Sequence, residues 1–200
     1  MKEFSTEKIR NVCLLSHGGA GKTTLTEAML FNAGALERFG KVEDGTTTSD
    51  YDPEEIKRKN SINTSICPCE WNDFKINVID TPGYFDFVGE VKQGIRVADS
   101  AVILVSAKSG VSVGTEKSWA YTNDKKLPRM FFVNKMDDEN ANFFGVLEQL
   151  VNNFGKSVAA FEIPIVEGGK FTGFIDIINM KAKKFDKDKL VDANVPSELS

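Results

Sequence analysis

The run Ser16-His17-Gly18-Gly19-Ala20-Gly21-Lys22-Thr23-Thr24 has the residue types of a polyphosphate cradle. Gly18, Gly19 and Gly21 let the backbone turn tightly enough to aim successive N–H groups inward, Lys22 supplies a point charge, and Thr23 offers a hydroxyl to a magnesium ion. Ser16 stands where the pattern G-x-x-x-x-G-K-[ST] has its first glycine, and the Gly21-Lys22-Thr23 core is intact. Without a ligand the same stretch reads as a glycine-rich turn from strand to helix. His17, the only histidine, is compatible with a structural, backbone-bonded role, and position alone does not make it catalytic.

Two further constellations follow apolar runs. Residues 75–79 read as a strand that ends in Asp80-Thr81-Pro82-Gly83, where a carboxylate can hold magnesium through water and a glycine amide can meet a terminal phosphate. Alone that tetrapeptide is a common turn. Residues 130–133 run into Asn134-Lys135-Met136-Asp137. There Asp137 would accept from the guanine N1–H and exocyclic amine, Asn134 would bind the opposite base edge, and the Lys135 stem would cover the ring. Adenine lacks that donor pair and would leave the carboxylate unpaired, which argues against ATP chemistry. The competing reading is a turn with Asp137 or Asp138 as a helix N-cap.

The elements that must position these residues are strands alternating with helices. Residues 9–15 predict the first strand and 24–33 the first helix, with Leu25, Ala28, Met29 and Asn32 at helical spacing. Residues 65–71 and 75–80 predict a hairpin around Asn72-Asp73. Val88, Val91, Ile95 and Ala98 mark a second helix, and residues 101–105 and 130–133 are apolar enough for parallel strands covered on both faces. Residues 140–154 carry a third amphipathic stripe, ended by Gly155. Residues 38–63 show no sustained period, and a structureless connection that long is usually disordered or functional. The fold class expected is α/β: a P-loop, doubly wound, mainly parallel sheet with helices on both faces and ligand loops at the strand carboxyl ends. Residues 171–178 and the lysine-rich run after them predict the start of a β-rich addition.

Composition sets the bounds. The chain has 200 residues, 41% of them hydrophobic, enough for one sizeable α/β domain. Twenty-five basic against 29 acidic residues give a net charge of -4, so there is no bulk attraction for DNA or another polyanion. The N-terminus lacks the apolar core of a signal peptide and no apolar run is long enough to span a bilayer, which predicts a cytoplasmic chain without a membrane partner. Three cysteines, two of them as Cys67-Pro68-Cys69, make neither a disulfide framework nor a zinc site and read as reduced strand residues.

The chain resembles the GTP-binding domain of translational GTPases, above all elongation factor G and its paralogues, with ribosomal-protection proteins and the bacterial peptide-release GTPase nearby. The resemblance rests on residues 16–24, Asp44-Gly45-Thr46, Asp80-Thr81-Pro82-Gly83 with Asp86-Phe87 and Glu90-Val91, and Asn134-Lys135-Met136-Asp137. It implies a monomeric, ribosome-stimulated GTPase that cycles between GTP and GDP with Mg2+. Thr23, Ser61 and Asp80 would serve the ion; residues 16–24, Gly83, Asn134, Lys135 and Asp137 would hold the guanine nucleotide. Residues 38–63 would be the first switch and residues 80–91 the second. Residues 1–166 would form the G domain and 167–200 the start of the insertion found in elongation factor G. The family's further Ser-Ala motif, which packs on guanine, is not matched by Ser106-Ala107-Lys108, because that run precedes Asn134; the sequence therefore reads as a fragment.

Departures from the family cluster where the attacking water belongs. The family's P-loop usually carries Ile-Asp where this chain has Gly18-Gly19, its first switch Arg-Gly-Ile-Thr where this chain has Arg58-Lys59-Asn60-Ser61, and its second switch a histidine where this chain has Tyr84. Ser61 keeps the hydroxyl a metal needs. Gly18 and Asn60 remove two aliphatic groups, so an apolar gate on the route to the water is expected to be open. Tyr84, with Lys22 and Gly83, is the candidate catalytic group, but phenol titrates near ~10 against ~6.5 for imidazole and brings no ready positive charge. Either the hydrolysis is slowed or rerouted through Tyr84, or these are coordinated changes in a paralogue that hydrolyses GTP normally on the ribosome; the rival readings are a GTP-loaded ribosome-binding scaffold with little turnover and a ribosomal-protection-type GTPase.

Overall fold

The computed structural model describes residues 2–187 and 189–195. They fall into two compact units, one of residues 1–105 and 112–134, the other of residues 106–111 and 135–200.

The first unit is organised on β1 (Ile9–Leu15), whose apolar run is covered on both faces. It pairs in parallel with β3 (Phe74–Asp80), Val12 opposite Val78, and with β4 (Ser100–Ser106), Leu15 opposite Ile103. With β2 (Ser65–Trp71) and β5 (Arg129–Asn134) the sheet order is β2-β3-β1-β4-β5. β2 is antiparallel to β3, and the hairpin turns on Asn72 and Asp73, both left-handed at φ 47° and 63°. Alternation along β1 divides the core. Cys13 and Leu15 join Ile79, Ile95 and Ile103 under α3 (Val88–Val97) and α4 (Val113–Asp124), while Leu14 joins Leu30, Val78 and Leu104 under α1 (Lys22–Asn32). The doubly wound sheet expected from the alternation is what forms.

Two local expectations change. The buried face of α1 is Thr26, Glu27 and Leu30, with Leu25 and Met29 half-buried beside it; Asn32 is exposed and donates from Nδ2 to the Ala28 carbonyl at 2.8 Å. The stripe is rotated because Glu27 is needed inside, where its Oε1 accepts the Thr48 N–H. Residues 38–63 are not structureless: they contain α2 (Pro53–Arg58), started by a capping box between Asp52 and Glu55 and by Pro53 in its first turn.

Helix α3 lies unusually near the sheet at Gly94. A Cβ there would meet Thr81 Cγ2 at 2.9 Å, Cys13 Sγ at 3.2 Å and Ile79 Cγ2 at 3.3 Å. Gly94→Ala is therefore expected to cost about 1–3 kcal/mol of stability through overpacking, although alanine is the better helix former by about 1 kcal/mol. Urea denaturation of the two proteins checks this; a stabilised variant would contradict the packing.

In the second unit α5 (Phe143–Phe154) starts later than the pattern suggests, because Asn142 caps it by accepting the Gly145 N–H at 2.9 Å. An antiparallel meander follows, β6 (Glu162–Glu167), β7 (Lys170–Asp176), β8 (Lys181–Asp186) and β9 (Lys189–Ala193), with Ile165, Ile175 and Ala182 as its core. This is the β-rich addition. Among the described residues no helix is long and apolar enough to cross a membrane.

Candidate functional site

The carboxyl ends of β1 and β3 bring the first two constellations together. After β1 the chain turns through Gly19 at φ 77° and Gly21 at φ 97°, left-handed positions that favour glycine. α1 then begins on Gly21 with no side-chain cap and no acidic residue in its first turn. By contrast, α4 is capped by the Ser112 side chain and α5 by the Asn142 side chain. The positive end of α1 is thus left for an outside anion.

Lys22 is 6% exposed, and its Nζ donates to Ser16 Oγ at 2.9 Å. Burial lowers its pKa, opposed chiefly by the charges of Asp80 and Asp50. Gly83 crosses the same loop so closely that a Cβ on it would lie 2.6 Å from Gly18 N and 2.7 Å from Lys22 Nζ. Only glycine fits there.

Hydroxyls converge on Asp80, which is 1% exposed. Its Oδ2 accepts from Thr23 Oγ1 at 2.9 Å and from Ser49 Oγ at 2.7 Å, and Thr23 Oγ1 stands 3.1 Å from Ser61 Oγ. Asp80 Oδ1 and Asp50 Oδ1 are buried with no hydrogen-bond partner. Two orphaned carboxylate oxygens among three hydroxyls form an all-oxygen donor set for a hard divalent cation, and the set fits magnesium. No group of three or more His, Cys, Asp or Glu that could hold a metal by itself occurs among the described residues, so phosphate oxygens would have to complete the coordination.

Ser49 and Asp50 are absent from the sequence reading, since both lie in the segment without periodicity. The signal that finds them is polarity combined with complete burial. Burial pushes the Asp50 carboxyl up to about 6, against a lowering hydrogen bond from Ser61, and burial likewise raises Asp80. With the folded value of Asp50 above the unfolded one, the folded chain holds a proton that the unfolded chain gives up between about pH 4 and pH 6, so stability falls as pH rises through that window. The nucleotide- and metal-free chain is expected to melt at a higher temperature at pH 5 than at pH 7, with roughly half that difference removed in Asp50→Asn. Differential scanning calorimetry at both pH values checks it, and identical profiles for the two proteins would contradict it.

The segment 38–63 is tied down by buried Glu55, and the residue after it by half-buried Glu90. Glu55, 1% exposed, accepts from Ile62 N at 2.8 Å and Asn63 N at 2.9 Å. Glu90 on α3 accepts from Thr64 N at 2.8 Å, and its carbonyl accepts from Thr64 Oγ1 at 3.0 Å. The end of one expected switch is thereby fastened to the helix of the other.

Tyr84, extended at φ -88° and 43% exposed, follows Gly83, and among the described residues no protein group pairs with its hydroxyl. His17 is exposed and tilts its ring toward Phe85 at 5.9 Å, a ring contact in place of the backbone hydrogen bond expected of it. The three cysteines are free and buried; burial pushes the Cys13 and Cys67 thiols up to about 12, which makes them inert.

Asn134, at the end of β5, donates from Nδ2 to the Ala20 carbonyl at 2.9 Å, bracing the cradle from outside. Lys135 takes φ 61°, which turns the chain immediately after it. The two adjacent aspartates separate clearly. Asp138 Oδ2 accepts from Lys108 Nζ at 3.2 Å and its Oδ1 from Asn140 N at 3.1 Å, whereas the exposed Asp137 has no protein partner among the described residues. Neither caps a helix, as α5 has Asn142. Ser106-Ala107-Lys108 serves structure here, with the Ala107 carbonyl accepting from Asn142 N at 2.9 Å.

Glycine-rich loop, Asp-Thr-Pro-Gly turn and Asn-Lys-Met-Asp turn each follow their own strand, and the model of the elongation factor Tu GTP binding domain family matches residues 7–196. The chain belongs to that family. Among curated relatives, elongation factor G 2 of Treponema pallidum (strain Nichols) is 42% identical over 175 residues, which is 88% of this chain and 26% of that protein. A crystal structure of a protein from Thermus thermophilus superposes with a TM-score of 0.91 at 41% identity, covering 96% of this chain and 29% of the other. The GTP-binding domain thus spans about a quarter of the length of its curated relative. The G-domain sheet and the separate antiparallel sheet after it agree with the family fold.

Proposed function

We infer that this GTP-binding domain binds Mg-GTP and hydrolyses it to GDP and phosphate as part of a ribosome-stimulated translation factor of the elongation factor G type, acting in the cytoplasm as a monomer. The observation that carries the reading is the meeting of buried Lys22 with the oxygen set of Thr23, Ser61 and Asp80 at an uncapped helix start.

The residue roles follow from their chemistry. Amides of residues 16–24 and the Lys22 ammonium take the phosphate oxygens, while Thr23, Ser61 and Asp80 would hold the magnesium ion, with the Asp50 carboxylate as a further oxygen donor buried nearby. Bound there, the ion neutralises charge that develops on the phosphates. Gly83 offers its amide to the terminal phosphate, and Tyr84 orients the water whose oxygen joins the γ-phosphorus as the bond to the β–γ bridging oxygen breaks. The guanine is read by Asn134, Lys135 and Asp137, and Ser16, His17, Gly18, Gly19, Ala20, Gly21 and Thr24 complete the cradle. Residues 1–166 act as the G domain and 167–200 open the insertion. Loss of the γ-phosphate releases segments 38–63 and 80–91 and converts chemistry into motion.

Because phosphoryl transfer depends mostly on positioning and charge, tyrosine in place of histidine slows turnover without abolishing it. Phosphate release in single-turnover assays, with and without ribosomes, tests this on wild type, Tyr84→Phe and Tyr84→His. We expect ribosome stimulation in the wild type, a loss of about tenfold or more in Tyr84→Phe, in keeping with the usual worth of a proton-handling side chain, and a gain in Tyr84→His. Equal rates in all three would remove Tyr84 from the mechanism, and no stimulation would favour the GTP-loaded scaffold.

A further inference from the structure

We propose that Gly18 and Tyr84 form a single steric gate over the cradle: the missing side chain at position 18 lets the phenol lie against the P-loop, and the size of residue 18 sets where that phenol stands. The steric part rests on the geometry of the two residues alone; the consequence for hydrolysis rests on the function inferred above.

The P-loop glycines differ in why they are glycine. Gly19 and Gly21 sit at φ 77° and 97° with backbone reasons for lacking a Cβ, whereas Gly18 lies outside the left-handed region and any residue could adopt its backbone. The three atoms nearest to a Cβ at 18 all belong to Tyr84. That Cβ would come within 3.1 Å of Tyr84 Cζ, 3.2 Å of Cε2 and 3.5 Å of Cε1. These are the atoms at the hydroxyl end of the ring, so the phenol tip stands over Gly18 in the volume that an aliphatic residue would fill. The gate expected from the sequence to be open is filled by Tyr84.

The backbone on either side of Tyr84 has close neighbours. On one side Gly83 already abuts Gly18 N and Lys22 Nζ. On the other, Phe85 is held between the His17 ring, 5.9 Å away, and Lys117, whose Nζ lies 3.7 Å from the Phe85 ring centre. With neighbours on both flanks, rotation of the Tyr84 side chain about its own bonds is the smallest movement that frees the space, and it carries the hydroxyl off the P-loop. A methyl at 18 would be accommodated by a few tenths of an ångström; an isoleucine would expel the ring.

A double-mutant cycle decides it, because coupled neighbours are not additive. On the nucleotide-free protein, Gly18→Ile is expected to lower the melting temperature by about 4 °C beside Tyr84 and by less than about 1 °C in the Tyr84→Ala background, the difference being the overpacking relieved when the ring is gone. Gly18→Ala should fall between, and serves if Gly18→Ile folds poorly. In single-turnover GTP cleavage at saturating nucleotide Gly18→Ile should lower the maximal rate about tenfold beside Tyr84 and less than about threefold beside Tyr84→His, whose smaller ring leaves room. Equal melting shifts in both backgrounds overturn the pair. Coupled melting with uncoupled cleavage overturns its role in hydrolysis. Absence of any GTP cleavage by the wild type would contradict the inferred function instead, and the melting cycle would still decide the pair.

Discussion

Lys22→Ala is expected to lower affinity for Mg-GTP at least ~100-fold. Its Nζ is sealed in the cradle, 6% exposed, with Ser16 Oγ as its neutral partner, and burial has already weakened its hold on a proton. Charge is kept there at a desolvation cost, which a bound polyanion would offset. Charge-assisted hydrogen bonds to phosphate contribute about 1.5–3 kcal/mol each, and the loss of two such bonds corresponds to roughly 10²–10⁴ in the dissociation constant. Arginine would not substitute, because its planar fork needs more room than Gly83 leaves beside Nζ. Fluorescent-nucleotide titration of wild type, Lys22→Ala and Lys22→Arg checks this, and an affinity within about threefold of wild type for Lys22→Ala would contradict it.

Asp137→Asn is expected to exchange the base read by the site. A carboxylate accepts from both N1–H and the exocyclic amine of guanine, whereas an asparagine amide presents one donor and one acceptor. The variant should lose GTP by about 10³-fold or more, on the scale of sites whose polar group is left unpaired, and gain xanthosine triphosphate, which carries an oxygen where guanine carries the amine. Asp138→Asn is the control: its carboxylate is already engaged by Lys108 Nζ and Asn140 N, so its effect should fall on stability of the turn. Competition binding with both triphosphates measures the exchange. Retained guanine preference in Asp137→Asn would remove Asp137 from the reading.

Sequence was most informative where apolar periodicity and short motifs coincide. The bounds of β1 and β2 match the expected residues, and the three loops follow their strands because a buried parallel strand must be apolar and its carboxyl end must carry the chemistry. What escaped is polar packing. Residues 38–63 show no hydrophobic period since they are fixed by Glu27 and Glu55 accepting backbone N–H groups, and a carboxylate looks the same in sequence whether it is buried or solvated. Ser49 and Asp50 were missed for that reason, and so was the rotation of α1 that puts Glu27 inside. The pairing of Gly18 with Tyr84 joins positions far apart in the chain, so their common departure from the family gains its meaning only when the ring is seen over the glycine.

The proposed site is a magnesium triphosphate cradle that recognises guanine. Isothermal titration of the protein with GTP and with ATP, each in excess magnesium, tests it most directly. GTP is expected to bind at least ~10³-fold tighter than ATP, because adenine leaves a guanine-reading carboxylate unpaired. Equal affinity for the two nucleotides would contradict it.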